Sequence, residues 1–197
     1  VSIILDAGPG LTFLAAKQQN VLIQAARSQL IQLAAPERVD REIEGKCLDP
    51  KFSRTGALNL WRRLKASEHV NILNDELHGP FFAQAIARVS GMPARERIGR
   101  RESLGEILAI AHASSLAQQG SNEYVLIDEA DGRKRALREI AYLGGVPASG
   151  RISLWSTLQV MQQAGAEGWV DHGLSWREAY ESMRQFDDAL RPLPAGI

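Results

Sequence analysis

The chain has 197 residues, 45% of them apolar, enough to bury one sizeable core. Its 23 basic residues balance 23 acidic ones, so no field of the whole molecule draws in nucleic acid or repels it, and any charge argument is local. A single cysteine, Cys47, excludes an internal disulfide and every zinc site built on paired cysteines, and suits a reducing cytoplasm.

In chain order, Ile3-Ile4-Leu5 is a short, uninterrupted, β-rich run that stops at Asp6 and the turn residues Ala7-Gly8-Pro9-Gly10. It lacks the basic lead and longer apolar core of an export signal. No later apolar run approaches the roughly 18 residues of a membrane span. A cytoplasmic protein without membrane contact is expected. A continuous apolar run of this kind predicts a strand covered on both faces, as in a parallel sheet. Helical spacing predicts helices over residues 11–17, 21–28, 36–47, 81–90 and 103–119, with a strand over 30–35. Tyr124-Val125-Leu126-Ile127 repeats the first pattern and again ends in an aspartate, Asp128; Val146-Pro147-Ala148 is a weak last strand. Strands alternating with helices predict an α/β protein with a mainly parallel sheet and right-handed crossovers.

Residues 50–101 read differently, as a helical insertion or lid whose helical patches are broken by Gly, Pro and polar residues. Ser175-Trp176-Arg177-Glu178 fits a capping box, and Trp176, Ala179, Tyr180, Met183, Phe186 and Leu190 recur at helical spacing. The expected organisation is one domain over residues 1–171 and a C-terminal helical extension over 172–197. Trp176, Tyr180 and Phe186 either serve a homodimer or partner groove or pack on their own domain.

Ligands of a parallel α/β sheet gather beyond the carboxyl ends of its strands, where Asp6 and Asp128 would share a crevice. The ordinary alternative is that each caps the next turn or helix. Glu106 lies on a helix among Leu104, Ile107, Leu108, Ala109, Ile110, Ala111 and Ala113. A carboxylate on such a face is costly unless paired, metal-bound, or placed in the first turn where the helix dipole favours it. Glu42 stands between Val39 and Ile43 on a helix that Pro36 opens. Several inward carboxylates repel one another, and Mg²⁺ or Mn²⁺, hard cations that take oxygen ligands and substrate phosphate, would remove that repulsion. The chemistry predicted is phosphodiester cleavage by an activated water. Asp6, Glu106 and Asp128 are expected to hold the metal, with Glu42 on a second ion or orienting the water. Arg95, Arg97, Arg100 and Arg101 are expected to hold RNA phosphates, unless they form only a solvated basic loop. Other chemistries lack residues. His69, His78, His112 and His172 form no HExxH pair, Gly8-Pro9-Gly10 has no P-loop lysine, and no G-x-S-x-G elbow is present.

These residues resemble the PIN-domain family, and within it the VapC-like toxins of bacterial toxin–antitoxin pairs. Ile3 to Pro9 resembles the family's first strand, first acid and turn; Pro36 to Ile43 is similar to the segment with the second acid, on Glu42. Ser103-Leu104-Gly105-Glu106 is similar to the small-residue helix that opens with Gly-Glu. Tyr124 to Asp128, then Glu129-Ala130-Asp131-Gly132-Arg133, resembles the strand and acidic turn with the last carboxylates. The resemblance implies an α/β/α sandwich of PIN-like, Rossmann-like kind, Mg²⁺ or Mn²⁺ dependence, RNA cleavage, and inhibition by a small antitoxin whose tail fills the site. Where the family often has two adjacent acids after the fourth strand, Asp131 is expected ahead of Glu129 as the helper of Asp128. The function expected is a metal-dependent endoribonuclease. The alternatives are a Mg²⁺-dependent phosphatase or phosphotransfer enzyme, which would also use strand-end aspartates, and a non-catalytic PIN-like module that binds RNA or protein.

Overall fold

The computed structural model describes residues 1–77 and 79–193; His78 and residues 194–197 lie outside the described part. The first half holds β1 (Ser2–Leu5), α1 (Ala7–Ala15), α2 (Gln19–Ser28), β2 (Gln32–Pro36), α3 (Glu37–Lys46), α4 (Ala57–Ala66), β3 (Val70–Leu73), α5 (Pro80–Ser90) and α6 (Ala94–Ile98). The second half holds α7 (Leu104–Gln118), β4 (Glu123–Leu126), α8 (Ala130–Leu143), β5 (Ile152–Trp155), α9 (Thr157–Glu167) and α10 (Trp176–Arg184).

All strand pairings are parallel, in the order β3-β2-β1-β4-β5. Ile4 of the central strand pairs with Ala34 on one side and Val125 on the other. The chain builds outwards from β1 in one direction, then crosses back to build in the other. The reversal between β1 and β4 opens a crevice at their carboxyl ends. Alternation along the strands divides the core in two. Ile3, Leu5, Leu33, Ala35 and Leu126 face a layer formed by α1, α2, α3, α4, α9 and α10. Ile4, Ala34, Val125 and Ile127 face the layer of α5 to α8. This is the three-layer α/β/α sandwich expected. Among the described residues no helix is long and apolar enough to cross a membrane.

Residues 50–101 are no detachable lid. They supply β3, whose Val70 pairs with Leu33, and α5, which packs along α7. Val146-Pro147-Ala148 is a turn, and the last strand is β5. The C-terminal helix forms as expected: Ser175 Oγ accepts the Glu178 N–H and the Glu178 carboxylate accepts the Ser175 N–H at 2.8 Å. Its Tyr180 and Met183 are buried in the same core as Leu126, so it belongs to the domain rather than extending from it. Trp176 is packed against that core, and Phe186 stacks on Phe52.

Candidate active site

The crevice at the switch point is a cleft of about 590 Å³ whose lining includes Asp6, Glu42, Glu106, Asp128 and Glu129. Asp6 leaves β1 and is fixed beside β4 by its N–H, which donates to the Leu126 carbonyl. It precedes α1, but its side chain makes no N-capping hydrogen bond to that helix. Glu42 lies on α3, whose Val39 and Ile43 are buried and so turn that face inwards. Gly105 lets these two acids approach. Glu42 Oε2 and Asp6 Oδ1 stand 3.1 and 3.8 Å from the point that a β-carbon on Gly105 would occupy.

Glu106 follows in the first turn of α7, a helix buried on nearly every face between the sheet, α3, α5 and α8. Only 4% of it is exposed. Arg135 of α8 donates to Oε1 at 2.5 Å, while Oε2 is buried without a hydrogen-bond partner. Gly132 is pressed so closely on this carboxylate that any side chain there would overlap it. The first turn of α8, with its positive dipole end, thus faces Glu106.

The electrostatics of these acids are strained. Burial, then the neighbouring charges of Glu42, Glu106 and Glu129, push the Asp6 carboxyl up to about 7 against the opposing pull of the Ala7 N–H. Burial raises Glu106 as well, outweighing Arg135, and Glu129 adds to the rise. Asp128 is raised by burial, with Asp187 contributing, against two hydrogen bonds from Thr157. Lys46 sits 2.8 Å from Glu42. Burial works against its charge, but Glu42, Asp6 and Glu129 together hold it protonated above the usual lysine range.

Asp128 lines the cleft, yet both its oxygens are engaged. Oδ1 accepts the Thr157 N–H at 2.9 Å and Oδ2 accepts the Thr157 hydroxyl at 2.5 Å, which ties the end of β4 to the start of α9. Of the two helper candidates the cleft contains Glu129 and not Asp131. Asp131 lies on the outer surface, 77% exposed and paired with Lys134 at 3.1 Å, because Gly132 is the inward position of that turn. The basic cluster disperses. Arg97 is buried and donates to the carbonyls of Arg100 and Glu102, Arg100 pairs with Glu96, and Arg95 is exposed away from the cleft. Only Arg101 of the four lines it.

The sequence reading missed Arg38, Lys46 and Asp187, all in the cleft lining. Arg38, Glu42 and Lys46 recur every four residues, a visible signal once Glu42 is placed inwards. Asp187 had none: it comes from the segment after α10, which folds back so that its Oδ2 stands 3.2 Å from where a β-carbon on Gly8 would lie. The described histidines are elsewhere; His112, for instance, meets Asp75 at 2.9 Å and packs on Phe82. Burial raises the Cys47 thiol, the opposite of what a nucleophile needs.

The donors present suit a hard divalent cation: several carboxylates on one cleft, of which Glu106 is buried with an unpartnered oxygen. Among the described residues no three such side chains already close on a common point to form a metal cage. An open arrangement is compatible with Mg²⁺, which keeps several waters and binds through one or two carboxylates. Compared with protein-family models, curated proteins and solved structures, the chain matches none.

Proposed function

We propose that this protein is a metal-dependent endoribonuclease of the PIN type, acting in the cytoplasm as the toxin of a toxin–antitoxin pair. The observation that carries the proposal is the convergence of Asp6, Glu42, Glu106 and Glu129, from four separate elements, on the cleft at the switch point. The order of acids along the chain is the one that the PIN resemblance implies. Asp6, Glu106 and Glu129 would hold the cation. Arg135 holds Glu106 through Oε1, and Glu42, steadied by Lys46, would orient the attacking water. When bound, Mg²⁺ or Mn²⁺ would neutralise the acids, lower the pKa of that water and stabilise charge on the leaving oxygen. Asp128 acts through position, holding α9 against the rim. The small antitoxin implied by the resemblance would inhibit by filling the same cleft.

Substrate class tests this reading against a phosphatase. Purified protein is incubated with single-stranded RNA and with p-nitrophenyl phosphate, in Mn²⁺ and in chelator. Internal RNA fragments in Mn²⁺ alone, with the phosphomonoester untouched, are expected. Phosphomonoester turnover with intact RNA would contradict it.

A further inference from the structure

Seven carboxylates line the cleft, yet two of the cations beside them pair with none. Lys46 is taken by Glu42. Among the described residues the guanidinium groups of Arg38 and Arg101 make neither a hydrogen bond nor an ion pair with protein. Arg38 Nε is shielded from water and has no acceptor, a state that buried charged donors avoid unless a ligand supplies one. Its backbone is fixed, since the Arg38 N–H donates to Asp75 Oδ2 at 2.6 Å. It stands one helical turn before Glu42, so its side chain shares the face of α3 that carries an acid of the site. Arg101 approaches from the loop between α6 and α7, two residues before Ser103 and four before Gly105, which enter the same lining.

A planar guanidinium matches two phosphate oxygens at once. We propose that Arg38 and Arg101 form a two-point phosphate clamp that holds the backbone of a single-stranded RNA across the acidic floor. The choice of RNA rests on the nuclease reading; the clamp itself requires only phosphates. The cleft, about 590 Å³, has the size of a small-molecule pocket. That volume is of the order of one nucleotide, which suits a single strand.

The test is fluorescence anisotropy with a labelled single-stranded RNA oligonucleotide in Ca²⁺, an oxygen-seeking cation that neutralises the acids. Potassium chloride is varied between about 50 and 200 mM. Arg38→Ala, Arg101→Ala, the double variant and the double lysine variant are compared with Lys134→Ala, which lies outside the cleft. Each alanine is expected to weaken binding about tenfold. The double variant's affinity should also depend less steeply on salt, while lysine restores part of both. All variants should melt with the wild type, because neither guanidinium is bonded to protein. Wild-type affinity and salt dependence in the double variant would overturn the clamp, as would failure of the wild type to bind RNA. Cleavage in Mn²⁺ separates the two ideas. RNA cut equally well by the double variant sinks the clamp and leaves the nuclease standing; RNA bound through the arginines but never cut leaves the clamp and sinks the nuclease.

Discussion

A methyl group on Gly105 would stand 3.1 Å from Glu42 Oε2 and 3.2 Å from Val39 Cγ2, in the gap where the acids of α3 and β1 converge. Alanine is the better helix former by about 0.5–1 kcal/mol, so Gly105→Ala should fold while pushing Glu42 away. Calorimetric titration with Mn²⁺ is expected to show affinity reduced about tenfold or more, with no loss of melting temperature. Asp6 gives a pH signature. Its folded pKa of about 7 lies above the ordinary 3.8, so between those values the folded state binds the extra proton. Stability therefore falls as pH rises through this window. The metal-free protein should melt lower at pH 8 than at pH 5, Asp6→Asn should flatten the difference, and Mn²⁺ should recover it at pH 8. Asp6, Glu42 and Glu106 were legible in the sequence because each sits at a strand end or among apolar helix neighbours. The choice of Glu129 over Asp131 was not, since it depends on which side of the first turn of α8 meets Glu106. Glu129→Gln is expected to lower Mn²⁺ affinity and Asp131→Asn to leave it unchanged in the same titration.

Elements with a fully buried face were legible, and those at the margins were not. β1 and the Val125-Leu126 part of β4 are buried on both faces and read as unbroken apolar runs. The edge strands β3 and β5 carry exposed Asn71 and Ser153, which break the run. α8 is rich in charge and buries only Gly132, Ala136, Glu139 and Leu143 along one stripe, too few apolar positions for helical spacing to announce it. The join of β4 to α9 carries its own prediction. Thr157→Val keeps the shape but removes the hydroxyl whose hydrogen bond Asp128 Oδ2 accepts, leaving a half-buried carboxylate short of a donor. Urea unfolding is expected to show a loss of about 1–3 kcal/mol, with the Asp128 carboxyl pushed further up.

At the scale of the whole molecule, strand order decides the outcome. Placing β1 between β2 and β4 brings Asp6 beside Asp128 and Glu129, although more than a hundred residues separate them in the chain. Two alternating strand–helix units announced a parallel sheet, but nothing local announced that residues 50–101 would supply its edge or that the C-terminal segment would return to the cleft as Asp187. Those are consequences of packing over long separations, which periodicity does not encode. The proposed nuclease activity rests on this assembled set of acids. The direct measurement is the single-turnover rate of RNA cleavage in Mn²⁺ for the wild type, Asp6→Asn, Glu106→Gln and, as a control, Asp131→Asn. Cleavage should be lost in Asp6→Asn and Glu106→Gln, proceed at the wild-type rate in Asp131→Asn, and be abolished by chelator throughout. Cleavage that survives chelation, or a full rate in Asp6→Asn, would contradict the proposal.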